Sequence, residues 1–221
     1  MKITKISLNF VWKFTECLVY RSMTESEIEF FDRIAPDWDA NEVRSTPERI
    51  RHILSRLPIS RGMKILDLGT GTGVLVPYLS ELVGESGKVV GIDLSEGMLN
   101  QAIEKFGQIP NVEFLRLDFE EEQIPGTYDL VMLYSVYPHI HFPDQTMEWL
   151  FRMNLTKDGR IIIAFPSDEH FINHIHGEKK AESDMLPDAH TLAHRISAWG
   201  YRAEVLSATP DAYIVSVSKE L

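Results

Sequence analysis

The sequence contains a single cysteine, Cys17, among its 221 residues. One cysteine excludes an intramolecular disulfide and a zinc site built from several thiolates of this chain, and it fits a reducing cytoplasm. No uninterrupted apolar run of about 18 residues occurs, which predicts that no helix spans a membrane. Basic residues are also scarce, since 22 Lys and Arg against 33 Asp and Glu give a formal charge of -11. A net-acidic surface argues against nucleic acid or an anionic membrane as the main partner.

The sequence does contain enough apolar material for one domain, with 44% hydrophobic residues in a chain of ordinary domain length. The apolar stretch within residues 1–22 is interrupted by Lys13 and Glu16 and has no small-residue cleavage site after it, so it is a poor signal peptide. We expect residues 1–22 to be an upstream extension or a loosely attached helix. Residues 23–221 are then a single domain that opens with helices over 24–60.

The chain is organised around one stretch, Ile65–Leu75, in which glycines at alternate positions follow a short apolar segment. This order predicts a buried strand, a tight turn and the start of a helix. Glycine lets the backbone adopt conformations closed to other residues, and the first turn of a helix carries N–H groups without intrahelical partners. The stretch therefore predicts a ligand bound over the turn.

Predicted strands and helices alternate after this turn. Further strands are expected at 88–93, 112–117, 128–134 and 160–165, with helices at 74–83, 95–106 and 146–155. A helix at 187–199 precedes two strands at 201–207 and 212–217 that are joined by a hairpin turn. The pattern predicts a doubly wound α/β fold with a mostly parallel sheet, to which the hairpin adds one antiparallel strand. The segment from Pro166 to Met185 is expected to be irregular.

Acidic residues stand at the ends of successive predicted strands: Asp67, Asp93 and Asp118. Asp93 lies 20 residues beyond Gly73, where a carboxylate can accept hydrogen bonds from both hydroxyls of a ribose. A dinucleotide fold would use G-x-G-x-x-G to bring a pyrophosphate onto the helix. Asp67, two residues before the first glycine, would repel a pyrophosphate and suits an ammonium group such as that of S-adenosylmethionine. A P-loop is excluded because no Lys-Ser/Thr pair follows the glycines.

These features resemble the class I S-adenosylmethionine-dependent methyltransferases, from about Phe30 to the C-terminus. The matching segments are Ile65–Gly73, Gly91–Ser95 with Met98–Leu99, Asp118–Phe119, Tyr128–Val131 and Lys157–Arg160. The resemblance implies a Rossmann-like sheet of seven strands with an antiparallel last strand. It also implies that the glycine backbone holds the methionine moiety and that Asp93 holds the ribose. The cofactor-binding residues expected on this basis are Asp67, Gly69, Thr70, Gly71, Gly73, Asp93, Leu94, Met98, Asp118, Phe119 and Tyr134.

The resemblance places the adenine amino group and ring at Asp118 and Phe119, and it would put Leu94 and Met98 on the adenine as well. An ordinary core position explains Leu94 and Met98 equally well. The acceptor side of such folds is built from the N-terminal helices, the loop after the fourth strand and insertions after the fifth. The fourth-strand loop lacks the Asn/Asp-Pro-Pro-Tyr/Phe pattern that holds a planar nitrogen, which disfavours nucleobase or glutamine nitrogens as acceptors.

Substrate-side residues are expected in those regions. They are Trp38 in a loop between the two predicted N-terminal helices, Tyr137 and His139 after the fourth strand, and Asn173, His176 and Asp184 in the insertion 166–187. The insertion is similar to one found in small bacterial methyltransferases of unassigned substrate, which implies that its residues converge with His139 over the methyl donor.

The histidines in this region allow more than one interpretation. His139 and His176 are candidate catalytic bases, because imidazole titrates near neutrality. His139, His176 and Asp184 could instead hold a divalent transition metal, and the histidines could also be ordinary solvated loop residues.

The leading prediction is a cytoplasmic enzyme that transfers the methyl group of S-adenosylmethionine to a small-molecule acceptor. The acceptor atom and the oligomeric state stay open. A nicotinamide-dependent oxidoreductase is a less favoured alternative because of the glycine spacing. A sensor that binds S-adenosylmethionine or S-adenosylhomocysteine without turnover is the alternative outside the enzymes.

Overall fold

The computed structural model describes residues 25–41, 45–176 and 185–220. The strands in these ranges are β1 (Lys64–Leu68), β2 (Lys88–Asp93), β3 (Val112–Arg116), β4 (Tyr128–Tyr134), β5 (Leu155–Phe165), β6 (Tyr201–Thr209) and β7 (Ala212–Lys219). The described strands form one seven-stranded sheet in the order β3-β2-β1-β4-β5-β7-β6. Strand β7 runs antiparallel to both β5 and β6, and the other pairings are parallel. The predicted mostly parallel sheet with an antiparallel last strand is confirmed.

Helices cover both faces of this sheet. They are α1 (Glu25–Ile34), α2 (Trp38–Asn41), α3 (Pro47–Leu54), α4 (Val76–Val83), α5 (Glu96–Phe106), α6 (Pro143–Trp149), α7 (Glu169–His176) and α8 (Ala189–Ala198). The 3-10 turns Ala35–Asp37 and Tyr137–His139 and the π-helical turn Leu150–Asn154 complete the described helical elements. None of the described helices is long and apolar enough to cross a membrane. Residues 1–22 lie outside the described ranges, so the expectation of an upstream extension stays a prediction.

Two helices begin at the residues that the sequence indicates. Thr46 caps α3 by accepting a hydrogen bond from the Arg49 amide at 3.4 Å, and Pro47 occupies the first turn. Ser95 caps α5, because its Oγ accepts a hydrogen bond from the Met98 amide at 3.1 Å. Both caps use a side-chain oxygen to satisfy an amide that has no intrahelical partner.

The segment around Trp38 was expected to be a loop, and this expectation is wrong. Pro36 does end α1, but residues Ala35–Asp37 continue as a 3-10 turn and Trp38 begins the short helix α2. Proline is compatible with a first helical turn because its missing N–H would have no partner there. Pro36 therefore lies in the 3-10 turn between the end of α1 and the start of α2.

The strand β5 starts earlier than predicted. Its pairing with β4 moves from Tyr128–Leu155 directly to Leu130–Arg160, so the intervening residues of β5 form a bulge. The turn-like sequence before Arg160 is therefore an irregularity within the strand. The preceding helix correspondingly begins at Pro143 and ends in the π-helical turn before Leu155.

The insertion after β5 also contains more regular structure than predicted. Residues Glu169–His176 form α7, where the sequence was expected to be irregular. Asp168 Oδ1 accepts a hydrogen bond of 2.8 Å from the Phe171 amide at the start of this helix. Ile172 is 6% exposed and anchors α7 to the core.

Two apolar layers hold the helices on the sheet. On β5, Ile161 and Ile163 face the layer that includes the helices α6, α7 and α8, while Ile162 and Ala164 face α3 and α4. Alternation along the strands produces this division, since successive side chains point to opposite faces. The carboxyl ends of the parallel strands lie at one edge of the sheet, and the loops there form the candidate site.

Candidate active site

The glycine turn after β1 forms the floor of the site. Gly69, Gly71 and Gly73 have φ angles of 71°, 54° and 79°, in the left-handed region. A Cβ on Gly69 would lie 2.4 Å from Cγ2 of Val136, so the loop after β4 closes directly onto the turn. A Cβ on Gly71 would meet no described atom within 4 Å, so a ligand can approach the backbone there.

Asp67 lies beneath this turn and is 2% exposed. Thr70 Oγ1 donates a hydrogen bond of 2.7 Å to Asp67 Oδ2. Burial raises the pKa of Asp67 to about 7, against the opposing hydrogen bond from Thr70 and with added repulsion from Asp93. A nearby cation would favour the ionised form of such an acid, so pairing of Asp67 with the ammonium end of S-adenosylmethionine stays a prediction.

Asp93, at the end of β2, ties the glycine turn to α5. Its Oδ2 accepts a hydrogen bond of 2.8 Å from the Gly71 amide, and its Oδ1 accepts one of 2.9 Å from the Ser95 amide. Burial raises the pKa of Asp93, against the hydrogen bonds from the amides of Ser95 and Gly71. The amides of Ser95, Gly71 and Leu94 use three of the roughly four acceptor sites of this carboxylate, which leaves acceptor capacity for a ribose hydroxyl.

Asp118 and Phe119 lie in a turn that follows β3. The Leu117 amide donates to the Asp93 carbonyl at 3.2 Å, which brings this turn beside the expected ribose site. The Asp118 amide donates to Glu122 Oε1 at 3.0 Å and fixes the turn internally. Phe119 is partly buried against the core. The fold therefore brings the predicted ribose and adenine residues together at one edge.

The remaining donor-side candidates are more buried. Leu94 is partly exposed directly after the ribose acid, whereas Met98 is 3% exposed. Tyr134 is 7% exposed, and its Oη donates to Ser45 Oγ at 3.1 Å. Their roles in cofactor binding stay predictions.

The N-terminal helix α1 contributes a contact that the sequence did not indicate. Asp32 Oδ1 accepts hydrogen bonds from Ser95 Oγ at 2.6 Å and from the Gly97 amide at 2.8 Å. These bonds lower the pKa of Asp32, with Ser95 as the largest cause. The partners lie 63 and 65 residues away along the chain, so no local pattern could have identified this contact.

A second N-terminal acid fixes the same segment to the glycine turn. Asp39 Oδ1 accepts a hydrogen bond of 2.6 Å from Thr72 Oγ1, and its Oδ2 lies 2.6 Å from Lys105 Nζ. Thr72 belongs to the glycine turn and Lys105 to α5. The N-terminal segment is therefore anchored to two elements of the donor site.

His139, a predicted substrate-side residue, packs against this N-terminal segment. Its ring is 5.4 Å from the ring of Phe31, centroid to centroid, in an edge-to-face arrangement. Phe31 also packs edge-to-face on Trp38 at 6.0 Å. Two predicted substrate-side residues, His139 and Trp38, therefore meet through an aromatic ring of α1 that sequence reasoning missed.

The other substrate-side candidates do not lie together in the described structure. Tyr137 is 5% exposed within the core layer, and its Oη has no hydrogen-bond partner among the described residues. Asn173 holds the far end of the insertion, since Nδ2 donates to the Leu186 carbonyl at 2.9 Å and Oδ1 accepts from the Leu186 amide at 2.8 Å. Asp184 and the side chain of His176 lie outside the described part of the chain.

Only part of the predicted metal-binding cluster lies within the described residues. His141 pairs with Glu120 at 3.0 Å, and His170 is 88% exposed in its side chain. Within the described ranges, no group of three His, Cys, Asp or Glu residues is arranged to hold a metal ion. The divalent-metal alternative stays a prediction because it depends on His176 and Asp184.

A glycine turn open to a ligand, with one acid suited to an ammonium group and another suited to a ribose, on a sheet of this strand order, is characteristic of class I S-adenosylmethionine-dependent methyltransferases. Sequence comparison agrees with this class. Residues 59–208 match the methyltransferase-domain family, and the chain belongs to it.

Individual relatives show the same likeness. The UbiE ubiquinone/menaquinone biosynthesis C-methyltransferase of Escherichia coli O1:K1 / APEC is 35% identical over 159 residues, which cover 69% of this chain and 62% of that protein. The chain spans 43% of the length of one UbiE relative, from Cronobacter sakazakii, and 62% of the length of the Escherichia coli one. A crystal structure of a SAM dependent methyltransferase from Aquifex aeolicus is 25% identical with a TM-score of 0.64, covering 87% of this chain and 96% of that one. The DhpI-SAH complex has the same fold at 20% identity and a TM-score of 0.71, covering 91% and 98% of the two chains.

Proposed function

We propose that this protein transfers the methyl group of S-adenosylmethionine to a small-molecule acceptor held between α1 and the loop after β4. The observation that carries the proposal is the contact of Phe31 with His139 at 5.4 Å, beside a glycine turn that Val136 closes. Donor and acceptor regions thus share one loop. Holding both reactants in line supplies most of the catalysis in such a reaction.

Four donor-side features support binding of the cofactor. The open space over Gly71 admits the methionine backbone, buried Asp67 matches its ammonium group, and Asp93 retains acceptor capacity for the ribose. The turn at Asp118 and Phe119 lies beside Asp93 for the adenine. When bound, S-adenosylmethionine supplies an electrophilic methyl group on a sulfonium.

His139 is the proposed general base. The residue is partly exposed while its Nδ1 is buried, so Nε2 is the nitrogen that takes the proton of the acceptor. The acceptor's electron pair forms the new bond to the methyl carbon, the carbon–sulfur bond breaks, and sulfur keeps its electron pair. An imidazole suits this role because it takes up protons near neutral pH.

The surroundings of His139 indicate the character of the acceptor. Phe31 packs its ring edge-to-face on His139, and Trp38 packs edge-to-face on the same Phe31 ring. We infer an acceptor with an apolar face. The matched UbiE proteins are named as C-methyltransferases of ubiquinone and menaquinone biosynthesis, so an acceptor carbon is the first candidate to test.

A labelled-methyl assay on cell extract tests this function. Wild-type protein should transfer label from S-adenosylmethionine to an extractable small molecule, and His139→Ala should lower that transfer by about 10²-fold or more. Calorimetry should show S-adenosylmethionine affinity within about twofold of wild type in the variant, as expected for a base that does not hold the donor. His170→Ala is the matched control, because His170 is exposed.

Three results would change the proposal. Undiminished transfer in His139→Ala would remove the general base. Tight binding with no transfer to any extract fraction would favour the sensor alternative. Activity that appears only with added divalent metal, and disappears in His176→Ala, would favour the metal alternative. The cytoplasmic location stays a proposal that depends on the single cysteine.

A further inference from the structure

Glu120 carries a buried carboxylate that joins the two sides of the site. Its side chain is 6% exposed. Oε1 accepts hydrogen bonds from the amides of His141 and Phe142 at 3.1 and 3.0 Å. Oε2 lies 3.0 Å from Nδ1 of His141. A buried carboxylate is costly unless it is satisfied in this way, so the contact fixes the two loops relative to each other.

The two ends of this contact belong to different parts of the proposed mechanism. Glu120 directly follows Phe119, and its own amide donates to Asp118 Oδ1 at 3.1 Å, so it belongs to the expected adenine turn. His141 follows the 3-10 turn that ends at His139. The carboxylate therefore spans from the donor side to the loop that carries the proposed base.

We propose that Glu120 is a positioning residue that couples occupancy of the donor site to the placement of His139. This inference rests on the proposed function. A ligand that orders the turn at Asp118 and Phe119 also orders Glu120, and Glu120 holds the backbone of His141 and Phe142. Binding of the methyl donor then fixes the conformation of the loop after β4 before the acceptor reacts.

A helix cap alone is the competing explanation, since Phe142 precedes the first residue of α6. A cap would stabilise α6 whether or not the donor site is filled. Coupling instead requires that a ligand in the donor site changes the loop, and that this change disappears when Glu120 is removed. The two explanations therefore differ in a measurement made with and without ligand.

The experiment uses the full chain with S-adenosylhomocysteine as the probe, and it compares Glu120→Ala, Glu120→Gln and the control Glu121→Gln. Glu121 lies in the same turn and is exposed. Calorimetry gives the affinity, and nuclear magnetic resonance follows the ring signals of His139 and His141 and the amide signals of His141 and Phe142. No acceptor is needed.

In wild type and Glu121→Gln, saturating S-adenosylhomocysteine should shift these signals and slow exchange of the two amides. In Glu120→Ala the affinity should fall about fivefold or more, and the shifts should be absent even at saturation. Glu120→Gln should retain the response, because its amide oxygen still accepts from the backbone of His141 and Phe142. If Glu120→Ala does not fold, Glu120→Asp makes the same test by drawing the carboxylate back.

Wild-type shifts in saturated Glu120→Ala, or in Glu120→Asp, would overturn the coupling. So would a wild-type protein that binds the probe with no response in the loop. A wild-type protein that does not bind S-adenosylhomocysteine at all would instead contradict the proposed function. The two proposals can therefore fail separately.

Discussion

Asp32 on α1 accepts a hydrogen bond of 2.6 Å from Ser95 Oγ, and the amide of the same serine donates to Asp93 at 2.9 Å. One serine thus links the N-terminal helix to the expected ribose carboxylate. Phe31, the neighbour of Asp32, packs on His139. A displacement of α1 would therefore alter both sides of the proposed site.

Replacing Asp32 by Ala should weaken S-adenosylhomocysteine binding and lower the free energy of unfolding by about 1 kcal/mol, as for a lost helix cap. The pKa of Asp32 is lowered from 3.8, chiefly by the Ser95 hydrogen bond, so its stabilisation is present above that pH. It is lost as the pH falls through the lower folded-state pKa. Denaturant titrations at several pH values measure this. Glu29→Ala, an exposed change on the same helix, should show no such difference.

Binding of S-adenosylmethionine should release protons below about pH 7 because of Asp67, whose pKa is raised to about 7 by burial. The ligand's ammonium group favours the ionised carboxylate, so the proton leaves as the ligand binds. Calorimetry in two buffers of different ionisation enthalpy measures the release. The number of protons released per bound ligand should fall above pH 8, and it should be much reduced in Asp67→Asn. A release that Asp67→Asn leaves unchanged would assign the proton to another group.

The same carboxylate also affects stability in the absence of ligand. An acid with a raised folded-state pKa binds its proton more tightly when folded than when unfolded. The free energy of unfolding should therefore decrease as the pH rises from 3.8 towards about 7, and this slope should be absent in Asp67→Asn. Equal slopes in both proteins would contradict the raised pKa.

Substitution of Gly69 and of Gly71 by Ala should have different consequences. Gly69→Ala should lower stability by about 1–3 kcal/mol, since its Cβ would lie 2.4 Å from Val136 and its φ is positive. Adding Val136→Ala should restore part of that loss. Gly71→Ala has the strain of a positive φ but meets no described neighbour, so it should lose less stability than Gly69→Ala and should also lose ligand affinity. Thermal denaturation and calorimetry separate the two, and equal losses of stability would contradict the open space over Gly71.

Replacing Asn173 by Ala should lower the free energy of unfolding by about 1–3 kcal/mol, because its side-chain nitrogen donates to the Leu186 carbonyl and its oxygen accepts from the Leu186 amide. Methyl transfer per folded molecule should change little if this contact is the main role of Asn173. A loss of turnover without a loss of stability would restore the expectation that Asn173 contacts the acceptor. His174→Ala is a suitable control, since His174 is exposed on the same helix.

The strand, glycine turn and helix cap on the donor side could be predicted well because their signals are local. The alternation of glycines after Asp67 and the cap at Ser95 each depend on residues within a few positions of one another. Periodicity likewise located β2 and β4 at the predicted residues. Such features follow from backbone sterics and hydrogen bonding, which act over short stretches of chain.

Turn-like residues misled the prediction where tertiary pairing overrode local preference. The residues before Arg160 resemble a turn, yet pairing with β4 keeps them within the strand as a bulge. Proline near the start of a helical segment was also ambiguous, because Pro36 and Pro143 both fit a first helical turn.

The sequence by itself determined the class of fold and the positions of the acids at the strand ends, since both follow from patterns among neighbouring residues. Only the tertiary structure decided which residues enclose the site. Asp32 reaches Ser95 and Glu120 reaches His141 over separations of 63 and 21 residues. Such contacts depend on how whole helices and loops pack on the sheet, and that packing cannot be predicted from patterns among neighbouring residues.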